Sequence, residues 1–363
     1  MIPGLHINTV AEMLYFYGFG GFYGLVFLYV LVGIAAALDA IYAVALNIPD
    51  GATGIMPAAA QRMAAVGRLG KGVYSYLLGG IYALAASAVL IPFLFVSLPI
   101  LQPLAQENMF LILVFASSYV LLSGFRVQDL AVFAMAGLFG LLVLGEGSSE
   151  LIFPMFVGFF TIPMLMVRSK QAQIEDDYKT KIEWKIPIIC SAATALMYLI
   201  PGVATPTQII ILTGIFSKIS EDDFVTALGA VSASNILYSI MMTDIIGKAR
   251  TGVAIVSEKM IEGTVMQHAV AAGTGALAFI LIALVIMRFL PRAVGLFSPF
   301  NNKWMKLLLA SYLGLLVLVI TGPQGLLVMG AASVVGGIAL VLKARRTNLM
   351  ASIITGALKY YFK

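Results

Sequence analysis

The sequence predicts an all-α, polytopic integral membrane protein of two inverted repeats, each with a re-entrant Pro-Gly hairpin or broken helix. Of the 363 residues, 61% are hydrophobic and 11% are charged, whereas about a quarter of a soluble domain is charged. Uncharged runs such as 73–101 and 269–287 approach or exceed the ~20 residues that cross a bilayer. Since lipid offers no hydrogen-bond partners to an open backbone, these runs are expected to be helices.

The apolar runs, taken in order, predict about nine or ten membrane spans. The long ones are at 21–47, 72–100, 109–124, 129–145, 150–167, 224–246, 266–290, 305–321 and 324–342. Segments 5–17, 186–200 and 205–217 are too short to cross comfortably. The short C-terminal piece 349–361 is expected to lie at the interface.

Lysine and arginine fix the predicted orientation. If each long run crosses once and 186–217 enters and returns, 17 of the 22 basic residues fall in loops on one side. The positive-inside rule makes that side cytoplasmic, so we expect a multi-pass protein of the cell membrane with cytoplasmic basic loops. The pI of about 9.1 then reflects orientation, and nucleic acid is not an expected partner.

Three matches suggest an internal repeat. PGLHINT (3–9) pairs with PGVATPT (201–207), DAIYAV (39–44) with NILYSI (235–240), and VGRLGKGV (66–73) with IGKARTGV (246–253), at offsets of 198, 196 and 180. The loop at 66–73 and its partner at 246–253 fall on opposite sides of the membrane in the predicted topology, which makes the repeat inverted. Among 35 glycines one match could arise by chance, whereas three in the same order favour a repeat. The predicted units are 1–168, a cytoplasmic linker 169–185, a second repeat 186–348 and an interfacial segment 349–363.

The Pro-Gly tips are the first candidate site. Proline and glycine end one helix and start another, and a helix N-terminus inside the membrane directs free N–H groups at an anion. Capping of their own helices by the same side chains is the alternative. The residues expected to bind substrate at and beside the two tips are Gly4, His6, Asn8, Thr9, Asn47, Gly202, Thr205, Thr207, Ser234 and Asn235.

Asp39 is the candidate ion-coupling residue. It lies inside an apolar span, where a bare charge costs about 2.5 kcal/mol or more. Its repeat partner is Asn235. Binding of a coupling H⁺ or Na⁺ is one interpretation of Asp39, and a buried hydrogen bond to a neighbouring helix is the other.

The sequence gives little support to enzyme chemistry. It contains no H-E-x-x-H, no G-x-S-x-G, no P-loop and no cluster of Cys and His, because it has one cysteine and two histidines. We therefore expect a non-enzyme without catalytic residues, metal or cofactor.

The stretch ALNIPDGATGIMPAAAQRMAAVGRLGKGVYSYLLGG (45–80) resembles the signature of the large membrane subunit of tripartite tricarboxylate transporters, the TctA family. Its Asn47-Ile48-Pro49 turn, the basic Gly-rich loop after it and the two Pro-Gly phrases carry the resemblance. Residues 223–252 are similar to a shorter, stand-alone archaeal branch. The resemblance implies a counterpart of 186–200 before Pro3, which this sequence does not contain, so we expect either a misassigned start or a simplified first gate. The sequence does not require the family's small membrane subunit or binding protein.

The resemblance implies a secondary transporter for a small organic anion of the di- or tricarboxylate type. We expect it to be coupled to H⁺ or Na⁺ and to work by alternating access around two opposed hairpin tips, with membrane lipid around it and a homo-oligomer as an option. The alternative is a translocase (flippase) for a lipid-linked phosphate such as polyprenyl phosphate. A structural or assembly protein is a third class, and it predicts no cavity at the tips.

Overall fold

The computed structural model describes residues 7–45, 63, 66–122, 126–144, 149–166, 175, 177–200, 220–297 and 302–361. Every regular element in these ranges is a helix, which confirms the predicted all-α class there. The helices are α1 (Ile7–Phe16), α2 (Gly21–Asp39, continued as a π-helix over Ala40–Ala45), α3 (Leu69–Glu107), α4 (Met109–Leu122), α5 (Val127–Val143), α6 (Ile152–Phe156 and Ile162–Met166, joined by the π-helix Val157–Thr161), α7 (Lys185–Met197), α8 (Glu221–Ile246), α9 (Gly252–Met260), α10 (Val265–Arg288), α11 (Leu290–Phe297), α12 (Lys303–Val341) and α13 (Ala351–Tyr361).

Five of the described helices are long and apolar enough to cross a membrane. They are Gly21–Ala45, Leu69–Glu107, Asp222–Ile246, Val265–Arg288 and Lys303–Val341. The shorter apolar helices are Val127–Val143, Ile152–Met166 and Lys185–Met197. These lengths and compositions support the predicted membrane-embedded class. Helix α3 extends beyond its predicted span because Pro92, Pro99 and Pro103 lie inside the helix without ending it.

Helix α12 is two helices joined at Gly322. This glycine has φ 69° and ψ −168°, a conformation that side chains disfavour, and Pro323 starts the second half, where proline is well tolerated. A methyl group built on Gly314 would lie 3.8 Å from Met329 Cε, although residues 15 apart in a straight helix are about 22 Å apart. The halves therefore fold against each other as a hairpin, consistent with the predicted spans 305–321 and 324–342.

Helix α8 lies at the centre of the described bundle and contacts α2, α3, α7, α9 and α10. Its contacts with α3 advance in step along both helices: Arg68 with Asp222, Ser87 with Ser234, and the Gln102 amide with the Ile246 carbonyl. The two helices therefore run parallel.

The neighbouring helices run the other way. Helix α2 is antiparallel to α3, since Gly72 approaches Val44 while the Tyr76 hydroxyl donates to the Ala36 carbonyl. Helix α10 is likewise antiparallel to α8, because His268 contacts Asp244 and Gly275 approaches Ile236. Thus α2 and α10 share one direction, and α3 and α8 share the other.

Glycines allow close approach in the two most extensive helix pairs, α2 with α10 and α3 with α8. A methyl group built on Gly33 would lie 2.0 Å from the Gly275 carbonyl oxygen, and one on Gly275 would lie 2.6 Å from that of Tyr29. In the other pair, a methyl group on Gly229 would lie 2.0 Å from the Tyr76 oxygen, and one on Gly79 would lie 2.6 Å from the Thr226 oxygen. Small residues at such contacts let membrane helices pack backbone to backbone.

Helix α13 and the turn before it are anchored to α5. The buried Asp129 carboxylate accepts hydrogen bonds from the Arg345 backbone N–H (2.7 Å), Arg345 Nε (3.3 Å) and Asn348 Nδ2 (3.1 Å). A methyl group on Gly140 would lie 2.0 Å from the Ser352 carbonyl oxygen. This C-terminal segment therefore packs on the helix bundle through a buried charge and a close backbone contact.

Candidate functional site

Four hydroxyl groups meet inside the bundle where α3, α7 and α8 pack together. Ser87 Oγ lies 2.8 Å from Ser191 Oγ and donates to Ser234 Oγ at 3.0 Å. Ser191 Oγ lies 3.0 Å from the Tyr238 hydroxyl. The three serines are fully or nearly fully buried, as is Tyr238, so each hydroxyl satisfies another away from water.

A second polar contact lies beside this hydroxyl cluster. The Tyr198 hydroxyl, just after α7, donates to Asn235 Oδ1 at 2.9 Å. The Tyr198 and Tyr238 rings pack edge to face with centroids 6.4 Å apart. Asn235 is half-buried, and its Oδ1 is occupied by the tyrosine, which leaves its amide nitrogen as a donor in the membrane interior.

The polar groups of α8 lie on two of its faces. Ser232, Asn235, Ser239 and Thr243 follow one another at spacings of three and four residues, which places them along one side of the helix. Ser234 and Tyr238, four residues apart, lie on another side. Ser239 Oγ lies 3.0 Å from the Tyr29 hydroxyl of α2. Helix α8 thus directs polar side chains toward partners on both sides within an otherwise apolar core.

Asp39 ends the regular part of α2, where the π-helix begins. It is half-buried and close enough to Tyr42 for its charge to act on that hydroxyl. A π-helical turn is often found at functional positions in membrane and soluble helices.

Asn8 serves as a cap for another helix. Its Oδ1 accepts the backbone N–H of Val253, in the first turn of α9, at 3.1 Å. The sequence-based alternative to anion binding at Asn8 was capping of its own helix, whereas the observed cap joins two distant segments. Thr9 follows it in α1.

Several predicted site residues lie outside the described part of the chain. They are Gly4, His6, Asn47, Gly202, Thr205 and Thr207. The opposed Pro-Gly tips therefore remain a prediction, as does the shared chamber between them. Of the predicted binding residues, the structure brings Ser234 and Asn235 together with the hydroxyl cluster.

The basic loop residues Arg68 and Lys71 have contacts on one side of the bundle. Arg68 forms an ion pair with Asp222, at the start of α8. The Glu175 carboxylate accepts the backbone N–H groups of Gly70 and Lys71, both at 2.8 Å, and so caps the N-terminus of α3, where an anion is stabilised. These contacts connect three loops that the sequence assigns to the same face.

A buried carboxylate and imidazole meet between α8 and α10. His268 Nδ1 lies 2.9 and 3.0 Å from the two oxygens of Asp244. The side chains are 8% and 13% exposed, and His268 Nε2 has no hydrogen-bond partner among the described residues. The sequence analysis did not single out this pair. The sequence offers one indication of the pair: Asp244 and His268 are among the few ionisable residues of these spans, and they lie near the end of α8 and the start of α10.

An open apolar groove runs along the first half of α12. Its volume is about 840 Å³, and its lining includes Trp304, Leu308, Tyr312 and Leu315. Trp304, Leu308 and Leu315 are more than half exposed, which is the arrangement expected of a surface in contact with lipid chains.

The described polar sites consist of hydroxyl and amide groups and a carboxylate–imidazole pair. Among the described residues no group of three His, Cys, Asp or Glu side chains is arranged to hold a metal ion. The hydroxyl cluster with Asn235 provides donors and acceptors for a polar ligand or a dehydrated cation, and Asp244 with His268 provides an ionisable pair.

Comparison with known proteins identifies one distant relative. An uncharacterized protein of Methanocaldococcus jannaschii is 23% identical over 271 residues, which span 70% of this chain and 67% of that protein. No family model matches the chain. No solved structure matches it either.

Proposed function

We propose that the protein is a secondary transporter that moves a small organic anion, of the di- or tricarboxylate type, in exchange or symport with H⁺ or Na⁺. The observation that carries this proposal is the crossed helix pairing, in which α2 packs on α10 and α3 packs on α8. In each pair one helix comes from the first half of the chain and the other from the second half. Two inverted repeats that enclose a shared site are expected to pair their helices in this way.

The glycine contacts support the repeat. Gly33 and Gly229 are 196 residues apart, and so are Gly79 and Gly275. The same offset relates Asp39 to Asn235 and the first residue of α3 to that of α10. A shift of 196 residues therefore relates the glycines of the α2–α10 contact to those of the α8–α3 contact, with equal approach distances of 2.0 and 2.6 Å. The carbonyls that they approach are displaced by three residues and one residue from exact correspondence.

The helix directions support inversion. In the first half α2 runs opposite to α3, and in the second half α8 runs opposite to α10, while α2 is antiparallel to its counterpart α8. The match between 66–73 and 246–253 would instead align α3 with α9. The glycine contacts favour α10 as the counterpart of α3.

The polar side chains of α8 are the proposed binding region. Ser234 reaches α3, Asn235 reaches Tyr198 beside α7, and Ser239 reaches α2, so helices from both halves meet there. Relative movement of the halves would remake these hydrogen bonds around a bound ligand, which is how alternating access exposes one site to either side.

Transport into proteoliposomes tests the function. We expect labelled citrate or succinate to accumulate when a H⁺ or Na⁺ gradient is imposed. We also expect Asn235→Leu, which keeps the side-chain volume and removes the amide, to reduce the initial rate at least about tenfold. Ser97→Ala is the matched control, because Ser97 donates to the Phe93 carbonyl of its own helix. The proposal fails if neither carboxylate accumulates under either gradient.

The α12 groove favours a second candidate, translocation of a lipid-linked phosphate. Its open side and apolar lining would suit an isoprenoid chain while the phosphate enters the bundle. In the same vesicles, a polyprenyl phosphate that moves between leaflets, without any carboxylate uptake, would select this function over the first.

A further inference from the structure

We infer that Asp244 and His268 form a proton-binding site whose cover is the segment 261–264 between α9 and α10. The ligand is H⁺, bound at His268 Nε2, and its binding is linked to displacement of the cover. The inference deepens the proposed transport function by assigning the coupling ion and its site. Its test needs no transported substrate.

The geometry orients the imidazole. His268 lies in the first turn of α10, where the capping box formed by Thr264 and Gln267 starts the helix. Because Nδ1 contacts both oxygens of Asp244, a proton on Nδ1 donates to the carboxylate. In the neutral imidazole Nε2 is then the acceptor nitrogen.

The surroundings of Nε2 restrict what can bind there. This nitrogen is buried without a hydrogen-bond partner among the described residues, and a methyl group built on Gly263 would lie 2.5 Å from it. The space between His268 Nε2 and Gly263 is too small for one added methyl group, so it is also too small for an organic anion. A proton can bind to Nε2 without additional space.

Protonation of His268 changes the equilibrium between the closed and the displaced position of the cover. The positive imidazolium is neutralised by Asp244, but the new Nε2–H donor faces Gly263 with no acceptor among the described residues. A buried polar atom without a partner is unfavourable, and more so on a charged group, so the protonated state favours movement of 261–264 and entry of water more than the neutral state does. The neutral state favours the closed cover, and proton binding and opening are therefore thermodynamically linked.

The other titratable groups near the pair are few. On α2, Tyr29 faces Asp244 closely enough to interact with its charge. The cover itself carries Glu262. The adjoining turn and α9 carry Lys248, Arg250, Glu258 and Lys259, and α1 carries Glu12. All of these except Arg250 are exposed, so their charges are screened by water more than those of Asp244 and His268.

Nuclear magnetic resonance of the ¹⁵N-histidine-labelled protein in lipid nanodiscs tests the site directly. The chain has two histidines, so His268→Asn assigns the spectrum. In spectra recorded from pH 8.5 to pH 5, the expected signature is a proton on Nδ1 in the neutral form and an added proton on Nε2 in the acidic form. Resonances of ¹⁵N-labelled Gly263 should shift with the same midpoint, and Asp244→Asn should displace that midpoint.

Gly263→Ala provides an independent measurement. The added methyl group should force the cover away, so acylation of His268 by diethyl pyrocarbonate should become at least about tenfold faster than in the unaltered chain. Gly273→Ala is the control, since Gly273 lies on the same helix as His268 with no atom within 4 Å of an added methyl group, and its acylation rate should not change.

Two results would overturn the inference. One is a His268 imidazole that keeps a single protonation state from pH 8.5 to pH 5. The other is protonation that leaves the Gly263 resonance in place. Either result leaves the carboxylate transport measurement valid, so a failure here is distinguishable from failure of the proposed function.

Discussion

At the scale of single residues, the sequence singled out polar side chains on α8, but it did not identify their partners. Ser234 and Asn235 were predicted site residues because Asn235 is the repeat partner of Asp39 and Ser234 flanks it. Their partners Ser87 and Tyr198 are 147 and 37 residues away along the chain. Hydroxyl-bearing residues are common in membrane helices, so pairing them requires the helix packing itself.

Ser191 should be, with Ser87, one of the two most sensitive members of the hydroxyl cluster. It contacts both Ser87 and Tyr238, so Ser191→Ala leaves two buried hydroxyls with one partner fewer. We expect a loss of about 0.5–2 kcal/mol in the free energy of unfolding, measured by circular dichroism in mixed micelles. Ser97→Ala should have a smaller effect, and equal losses would argue against a cooperative cluster.

Asp129 should hold the C-terminal segment in place. Replacing it by alanine removes the acceptor of three hydrogen bonds from Arg345 and Asn348, which should cost about 3 kcal/mol. Trypsin cleavage after Arg345 should then accelerate. Asp177→Ala is the control, because the Asp177 side chain is 90% exposed. Unchanged cleavage in the Asp129 variant would contradict the anchoring role.

At the scale of helices, apolar run length predicted which elements exist, and local breakers predicted some of their ends. The Gly322-Pro323 break was visible because glycine and proline interrupt an apolar run of sufficient length for two spans. The prolines of α3 were less informative. They fall near or beyond the end of the predicted span 72–100, yet the helix continues through Pro103, since lost backbone hydrogen bonds can be compensated by local packing.

Glycine-mediated contacts make a symmetric prediction for the helix pairs. Gly33→Ala and Gly229→Ala each place a methyl group 2.0 Å from a carbonyl oxygen of the partner helix. Each should therefore destabilise the bundle by about 1–3 kcal/mol through overpacking. Chemical unfolding in mixed micelles would measure both. Gly273→Ala should be neutral or slightly stabilising, because alanine is the better helix former. Very different costs for Gly33 and Gly229 would count against the repeat.

At the scale of the whole molecule, the observed contacts connect loops that the distribution of lysine and arginine had assigned to the same side. Arg68 pairs with Asp222, and Glu175 accepts the backbone N–H of Gly70, so three basic loops are joined. Asp129 and Arg345 join two further basic loops. On the opposite side, Asn8 meets Val253 and Gln102 meets Ile246. The distribution of lysine and arginine could predict the side of the membrane on which each loop lies, because that prediction needs no knowledge of helix packing. The crossed pairing of helices could not be predicted in this way, because it depends on the packing itself.

Cysteine labelling tests the predicted orientation. The natural cysteine, Cys190, is buried, so Cys190→Ser provides a cysteine-free background. In right-side-out vesicles a membrane-impermeant maleimide should label Glu258→Cys and should not label Lys179→Cys until the membrane is opened. Both positions are exposed. The reverse pattern would mean that the basic loops face outward, contrary to the positive-inside rule.

The crossed pairing also bears on how the protein is made. Helix α2 leaves the ribosome more than 200 residues before α10, so its glycine-lined surface stays without its native partner during most of synthesis. Insertion of each span is local, but assembly depends on contacts that are distant along the chain, and these form slowly. The N-terminal half consequently depends on completion of translation for its core, and early termination would deliver inserted but unassembled helices to the quality-control proteases of the membrane.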